Sequence, residues 1–272
     1  MTTFKSLFKQ MFLQKRRYAH LVLLLQIFAV IFIFVFSINS NEYKSLFVIG
    51  NKTNNWDILF WIGCYTTVIS DLIFLGLLCW QNEKINLSQT WQLVPVSSIK
   101  IWLTNIFSSL IECVYIFIIQ VIFGILVITF DCLSKKVNFF TEITKSAAWN
   151  WSWADFEGII ELLIYLISIC LIVFTFVSFA NLLTRTIIDQ LPGKNTLIIK
   201  IFVMALLVII AVFIAAKLND QVLFMYYSRT KAVDYDNVDL LRISIVEYLV
   251  GTIVLGIVNC ILVDEFVETK IK

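Results

Sequence analysis

Six long apolar stretches, separated by short polar segments, dominate the pattern along the chain. Each is long enough for an α-helix to cross the hydrocarbon core of a bilayer, which takes about 20 residues. The stretches are Leu21–Ile38, Ile58–Trp80, Ile106–Phe130, Ile159–Leu183, Leu197–Ala216 and Ile243–Val263. Backbone polar groups find no water in lipid and must bond within their own helix. The pattern therefore predicts an all-α integral membrane protein with six transmembrane helices in a single domain over residues 1–272.

Residues 1–20 carry an amphipathic pattern and are predicted to form a helix in the inner headgroup layer. Lys15 falls with the polar side chains on one helical face. The apolar face comprises Phe4, Leu7, Phe8, Met11 and Phe12. Lys15, Arg16 and Arg17 adjoin the first span, and basic residues mark the cytoplasmic side. We therefore expect these three residues to anchor the chain at the membrane surface, with both termini cytoplasmic in a multi-pass protein of the plasma membrane.

Composition narrows the classes of function. Apolar residues make up 60% of the 272 residues and charged residues 15%, and the mean hydropathy is +0.89. A soluble chain could not bury so much apolar surface, which excludes a soluble enzyme and a disordered chain. The net charge of +2 offers no basic footprint for nucleic acid.

Sequence motifs for catalysis and cofactor binding are missing. A single histidine, His20, and six cysteines without a CxxC pair predict no metal site. The segment Leu191–Thr196 contains Gly-Lys but lacks the rest of a Walker A loop, and it is predicted to be a turn. We therefore expect no catalytic residue, metal or cofactor in this chain, and we expect any ATP hydrolysis to take place on a separate subunit.

Asp71 and Glu112 are acidic residues that fall deep in the predicted spans. A charge at the centre of a bilayer costs at least ~2.5–3.5 kcal/mol, and the sequence places no Lys or Arg at the same depth. Two interpretations stay open. In the first, both side chains are neutral and hydrogen-bonded within the helix bundle. In the second, they line a translocation path or relay protons.

The polar segment between the second and third spans predicts a short amphipathic helix on the cytoplasmic side. Leu87, Trp91 and Val94 share one helical face, at the spacing i, i+4 and i+7. Pro95 ends the helix, because the residue before a proline avoids the α region. The helix either rests on lipid or docks a cytoplasmic partner.

With this loop the chain resembles the permease subunits of type-2 ABC transporters. The resemblance is carried by Leu93–Lys100, where a Leu-Pro-like stretch precedes serine and a basic residue, by the six spans and by the amphipathic N-terminal segment. It implies a second permease subunit, identical or different, and a cytoplasmic ABC ATPase as partners. It also implies short membrane-dipping helices within Asp220–Arg242. In this family the loop helix couples the ATPase to the spans, which assigns that role to Leu87, Trp91, Val94 and Pro95.

Two other classes of function compete with an ATP-driven exporter. A secondary transporter would use Asp71 and Glu112 as a proton relay, although the spans show no internal repeat and no interruption by proline. A membrane scaffold or immunity protein would have no transport cycle.

The outer segment 131–158 is longer than the corresponding segment of type-2 ABC permeases usually is. Its tryptophans suit the outer headgroup belt; they are Trp149, Trp151 and Trp153.

Overall fold

The computed structural model describes residues 4–39, 55–137, 153–190, 196–230 and 237–267. This part of the chain forms seven helices and no strand. The helices are α1 (Phe4–Asn39), α2 (Asn55–Asn86), α3 (Gln89–Gln92), α4 (Ser98–Ser134), α5 (Trp153–Gln190), α6 (Thr196–Thr230) and α7 (Asn237–Val267). Trp149, Trp151 and most of the predicted turn at 191–196 lie outside the described residues.

Six of these helices are long and apolar enough to cross a membrane, which confirms the prediction of a multi-pass, all-α membrane protein. Each predicted apolar stretch lies inside one helix. The helices extend beyond the stretches, because polar turns outside the hydrocarbon still satisfy their backbone hydrogen bonds within the helix. The first span and the amphipathic segment before it form one continuous helix, α1. α6 likewise continues through Leu223–Tyr227 to Thr230 rather than breaking into short helices.

Large apolar side chains cover the outside of these helices. In α1, Leu24 and Phe28 expose 67% and 65% of their surface, and in α6 Phe202 and Ile209 expose 68% and 66%. A water-soluble domain does not leave such rows of apolar surface uncovered. Lipid is the solvent that suits these surfaces.

The described helices divide between two compact units, each considered by itself. Unit 1 comprises Met1–Phe8, Cys79–Leu110 and Trp153–Lys272. Unit 2 comprises Lys9–Leu78 and Ile111–Ser152. Three helices, α1, α2 and α4, therefore contribute residues to both units.

In unit 1, α5 packs along α7, and α6 contacts both helices. A Cβ atom built on Gly251 of α7 would lie 3.1 Å from Cδ1 of Ile172, so glycine allows this close approach. Further along the pair, Asn259 Nδ2 donates a hydrogen bond of 2.8 Å to the backbone carbonyl of Thr175. Packing and a buried hydrogen bond thus fix α5 against α7.

In unit 2, the core is formed by apolar side chains from α1, α2 and α4. They include Met11, Ala19, Val22, Ile58, Ile62, Phe74 and Ile116, all at most 5% exposed. The ring of Trp56 stacks on that of Phe130, with centroids 5.8 Å apart. Beside them, Lys135 Nζ lies 3.7 Å from Asp57 Oδ1. An aromatic pair and an ion pair therefore join the start of α2 to the end of α4.

Candidate functional site

The connection between α2 and α4 presents apolar side chains to solvent. α3 has only four residues, fewer than the predicted amphipathic helix. Leu93 follows it directly and exposes 82% of its surface, and Pro95 is also exposed. Leu87 and Val94 are partly buried. Leu93, which the amphipathic pattern does not select, is thus the apolar residue of this connection with the most open surface.

Trp91 of α3 turns toward the protein. It is partly buried and lines a cavity of about 20 Å³ within unit 1. The other lining residues belong to α2, α4, α5 and α7; they are Ile85, Asn86, Ser98, Ile101, Trp102, Leu182 and Val263. A cavity of this size has room for about one water molecule. Trp91 of α3 therefore lines one cavity together with residues of four membrane helices, α2, α4, α5 and α7.

Trp102 links the same cavity to α5. Its side chain is 3% exposed, and its Nε1–H donates a hydrogen bond of 2.8 Å to the hydroxyl of Ser178, which is fully buried. A buried indole normally finds such a partner, because an unpaired N–H in a core is costly. The chain of contacts thus runs from α3 through α4 to α5.

A buried polar cluster holds the end of α2 against the start of α4 in unit 1. Asn105 Nδ2 donates hydrogen bonds of 2.9 Å to the backbone carbonyl of Asn82 and to Oδ1 of Asn86. Ser109 Oγ donates one of 2.7 Å to Asn82 Oδ1. Hydropathy does not predict this cluster, because which helices pair depends on tertiary packing. Its signal in the sequence is the helical spacing of Asn105 and Ser109 and of Asn82 and Asn86.

Glu83 adds an acidic group to this cluster. It is 8% exposed, and its Oε1 accepts a hydrogen bond of 3.4 Å from Asn86 Nδ2. The positive charges of Arg185 in α5 and Lys200 in α6 act on it. Glu83 lies just beyond the second apolar stretch, so the search for acidic residues within the spans does not select it.

Lys15 and Glu112 are buried together in unit 2, and both side chains are fully shielded from solvent. Their charges attract each other, and Arg16 acts on Glu112 in the same sense. Lys15 lies on the buried face of α1 with Met11 and Ala19, and not on the polar face that the pattern of the first 20 residues predicts. Residues four apart share a helical face, so Met11, Lys15 and Ala19 form one row.

The next residues of α1 also contact α4. The guanidinium carbon of Arg16 lies 5.1 Å from the ring centroid of Tyr115, at the distance of a cation–π interaction. His20 Nε2 is 3.1 Å from the hydroxyl of the same tyrosine and hydrogen-bonds to it. Arg17 is exposed. Of the three predicted anchor residues, Arg17 alone is thus fully accessible at this end of α1, since Lys15 is buried and Arg16 is partly buried.

Asp71 lies in a second polar group of unit 2. Gln120 Nε2 donates to Asp71 Oδ1 at 2.8 Å and to Gln26 Oε1 at 3.1 Å. Gln26 Nε2 in turn donates to the hydroxyl of Thr67 at 2.9 Å. This group thus joins α1, α2 and α4 through uncharged amide and hydroxyl partners.

Among the described residues, Asp71 and Glu112 do not hydrogen-bond to each other, but Gln120, the partner of Asp71, lies on the same face of α4 as Glu112. Glu112, Ile116 and Gln120 follow at intervals of four residues and are 0%, 2% and 8% exposed. Eight residues of α-helix span about 12 Å. Two buried polar groups are therefore stacked along α4 with an isoleucine between them.

In the described part of the chain, no three His, Cys, Asp or Glu side chains are placed to hold a metal ion. Neither a family model nor a curated protein nor a solved structure matches the chain. The described helices define the class of protein: an integral membrane protein, with six helices able to cross the bilayer among the residues that the structure describes.

Proposed function

We propose that the chain is the membrane-spanning permease subunit of an ATP-driven exporter, and that a separate cytoplasmic ABC ATPase binds at α3. The observation that carries this proposal is that Leu93 and Trp91, two residues apart in the chain, face in different directions. One side chain projects into solvent with 82% of its surface exposed, and the other is held in unit 1. A partner bound to the first would act on the helices that hold the second.

The contacts around α3 support a mechanical role. Trp91 and Trp102 line one cavity, and Trp102 is hydrogen-bonded to Ser178. When ATP closes the ATPase dimer, a push on α3 would be transmitted to α4 and α5. Nucleotide can drive such a change only if the ATPase binds the two conformations with different affinity. In this proposal Leu87, Val94 and Pro95 form the remainder of the docking surface, and a second permease subunit completes the path.

We further propose that the chain lies in the plasma membrane, with both termini and α3 in the cytoplasm. The basic residues at positions 15–17 support this orientation, since cytoplasmic segments are enriched in Lys and Arg.

Copurification tests the proposal. A tagged chain is purified from its native host in mild detergent, and bound ATPase and its turnover are measured. Leu93→Asp introduces a charge into the proposed interface and should reduce ATPase recovery, because loss of about 2 kcal/mol lowers affinity about thirtyfold. Leu133→Asp, at an exposed leucine in the last turn of α4, is the matched control and should retain the ATPase. Equal recovery from both variants would contradict the proposal.

A proton-coupled secondary transporter is the second candidate, and Asp71 and Glu112 are the observation that favours it. Both oxygens of the buried Glu112 carboxyl lack a hydrogen bond to any described residue. Transport that needs nucleotide but no proton gradient would exclude this candidate. Transport that survives Asp71→Asn combined with Glu112→Gln would exclude it as well. A scaffold or immunity protein would show neither nucleotide-dependent nor proton-dependent transport.

A further inference from the structure

The polar group around Asp71 holds a buried acceptor that lacks a donor. Gln120 is 8% exposed, and its Oε1 is buried and has no hydrogen-bond partner among the described residues. Its Nε2 uses both hydrogens, one on Asp71 and one on Gln26. These two acceptors fix the orientation of the amide, so Oε1 is the atom left over. Asp71 receives one hydrogen bond, at Oδ1, and an ionised carboxylate can only accept.

From these hydrogen bonds we infer that Asp71 is a proton-binding site within the membrane, and that its protonated carboxyl pairs with the amide of Gln120. The proton sits on Oδ2 and is donated to Gln120 Oε1, while Gln120 Nε2–H is donated to Asp71 Oδ1. This closes a cyclic acid–amide pair with two hydrogen bonds. A proton needs no cavity, and it supplies the one donor that the group lacks.

The position of Asp71 supports the neutral form. It is the seventeenth of the 32 residues of α2, near the middle of a helix that can cross the membrane. The carboxyl is only partly buried by the protein, so lipid or another membrane chain covers the rest. Neither solvates a carboxylate as water does, and an unpaired charge at this depth is costly.

Charged groups elsewhere in unit 2 do not replace the proton. Along the three helices, the titratable side chains of unit 2 that come closest in sequence to Asp71, Gln120 and Gln26 lie at other levels: Cys64 and Tyr65 on α2, Glu112, Cys113 and Tyr115 on α4, and Lys15, Arg16, Arg17, Tyr18 and His20 on α1. Lys15 and Arg16 act on Glu112, two helical turns from Gln120. Asp57, Asp131 and Lys135 interact with one another at the other end of α4.

Release of the proton would change the packing of unit 2. An ionised Asp71 could no longer donate to Gln120 Oε1, which would leave that buried oxygen without a donor and weaken the contact of α2 with α4. The same amide bonds to Gln26 of α1, so the three helices meet at Gln120. The site thus makes the contact of three membrane helices depend on one proton, whether or not an ATPase binds this chain.

Infrared spectroscopy of the purified chain in lipid nanodiscs tests the inference. A protonated carboxyl gives a C=O stretching band distinct from that of a carboxylate. We expect this band near neutral pH, where ordinary aspartates are ionised. It should be lost in Asp71→Asn and retained in Glu112→Gln, which removes another buried carboxyl of the same unit.

Gln120→Leu tests the pairing itself. Without the N–H donor of Gln120 the carbonyl bond of Asp71 strengthens, so the band should move to higher frequency. This variant also carries the test if Asp71→Asn fails to insert into membranes. Persistence of the band in Asp71→Asn, an unchanged frequency in Gln120→Leu, or loss of the band on adding sodium at constant pH would overturn the inference. The last result would identify a metal cation as the ligand.

Discussion

At the scale of single residues, the burial of Lys15 with Glu112 is the strongest departure from what hydropathy predicts. Each side chain alone would leave an uncompensated charge in a low-dielectric interior, which costs several kcal/mol. Together they offset part of that cost, and Arg16 adds a second positive charge nearby. Any register of α1 against α4 that separates the pair leaves a lone buried charge, and this penalty fixes the register. The net gain in stability from the pair itself is the smaller effect.

A double-mutant cycle measures this dependence. Lys15→Met should lower the free energy of unfolding by about 3 kcal/mol, because it leaves Glu112 buried without its lysine. Glu112→Gln should be milder, since its amide keeps hydrogen-bonding capacity. The double variant should be more stable than the sum of the single effects predicts, by about 0.5–3 kcal/mol. Lys9→Met, at an exposed position of the same helix, is the control. Thermal unfolding in one detergent reports all four variants, and equal stability of the two lysine variants would contradict a buried pair.

At the scale of helices, the sequence predicts where each element lies in the membrane but not where it ends. Apolar residues at Ile58–Trp80 identify a span, because lipid selects for them. The last turns of α2, Gln81–Asn86, are mostly polar and resemble a loop in sequence, yet they are helical, and Asn82 and Asn86 accept hydrogen bonds from Asn105. Hydropathy does not predict this polar extension of α2, because the polar groups bond to one another and not to water.

The contact of α5 with α7 yields a prediction at this scale. At Gly251 an added side chain meets Ile172, so Gly251→Leu should overpack the helix pair and destabilise the protein by about 1–3 kcal/mol. At Gly76 an added Cβ meets no atom within 4 Å, and Gly76→Leu would add apolar surface toward lipid. It should leave the stability unchanged or raise it. The midpoints of thermal unfolding in the same detergent compare the two variants. Equal midpoints would show that α5 and α7 tolerate a wider spacing.

At the scale of the whole molecule, hydropathy was sufficient for the six spans and insufficient for the sites. Each apolar stretch meets the same physical requirement, a helix whose side chains suit lipid and whose backbone bonds internally, so the number of spans follows from the stretches. Gln26, Gln120 and Thr67 carry no such signal. Single polar residues in apolar stretches pair only once the helices have packed, and their partners are 41 and 94 positions apart in the chain. Asp71 was identified from its charge, but its amide partner could be known only from the structure.

The orientation of the spans gives a prediction that involves the whole chain. The proposal places α3 in the cytoplasm, and α4 then crosses the membrane, so the end of α4 lies outside. All six cysteines are first replaced, Cys132 above all because it lies close to the outer reporter. Single cysteines are then introduced as Ser134→Cys, a near-isosteric change in the last turn of α4, and as Leu93→Cys beside α3. An impermeant thiol reagent added to intact cells should label the first and spare the second, and both should react after the cells are opened. Labelling of the Leu93→Cys variant in intact cells would place α3 outside, where no cytoplasmic ATPase could reach it, and would remove the basis for an ATP-driven exporter.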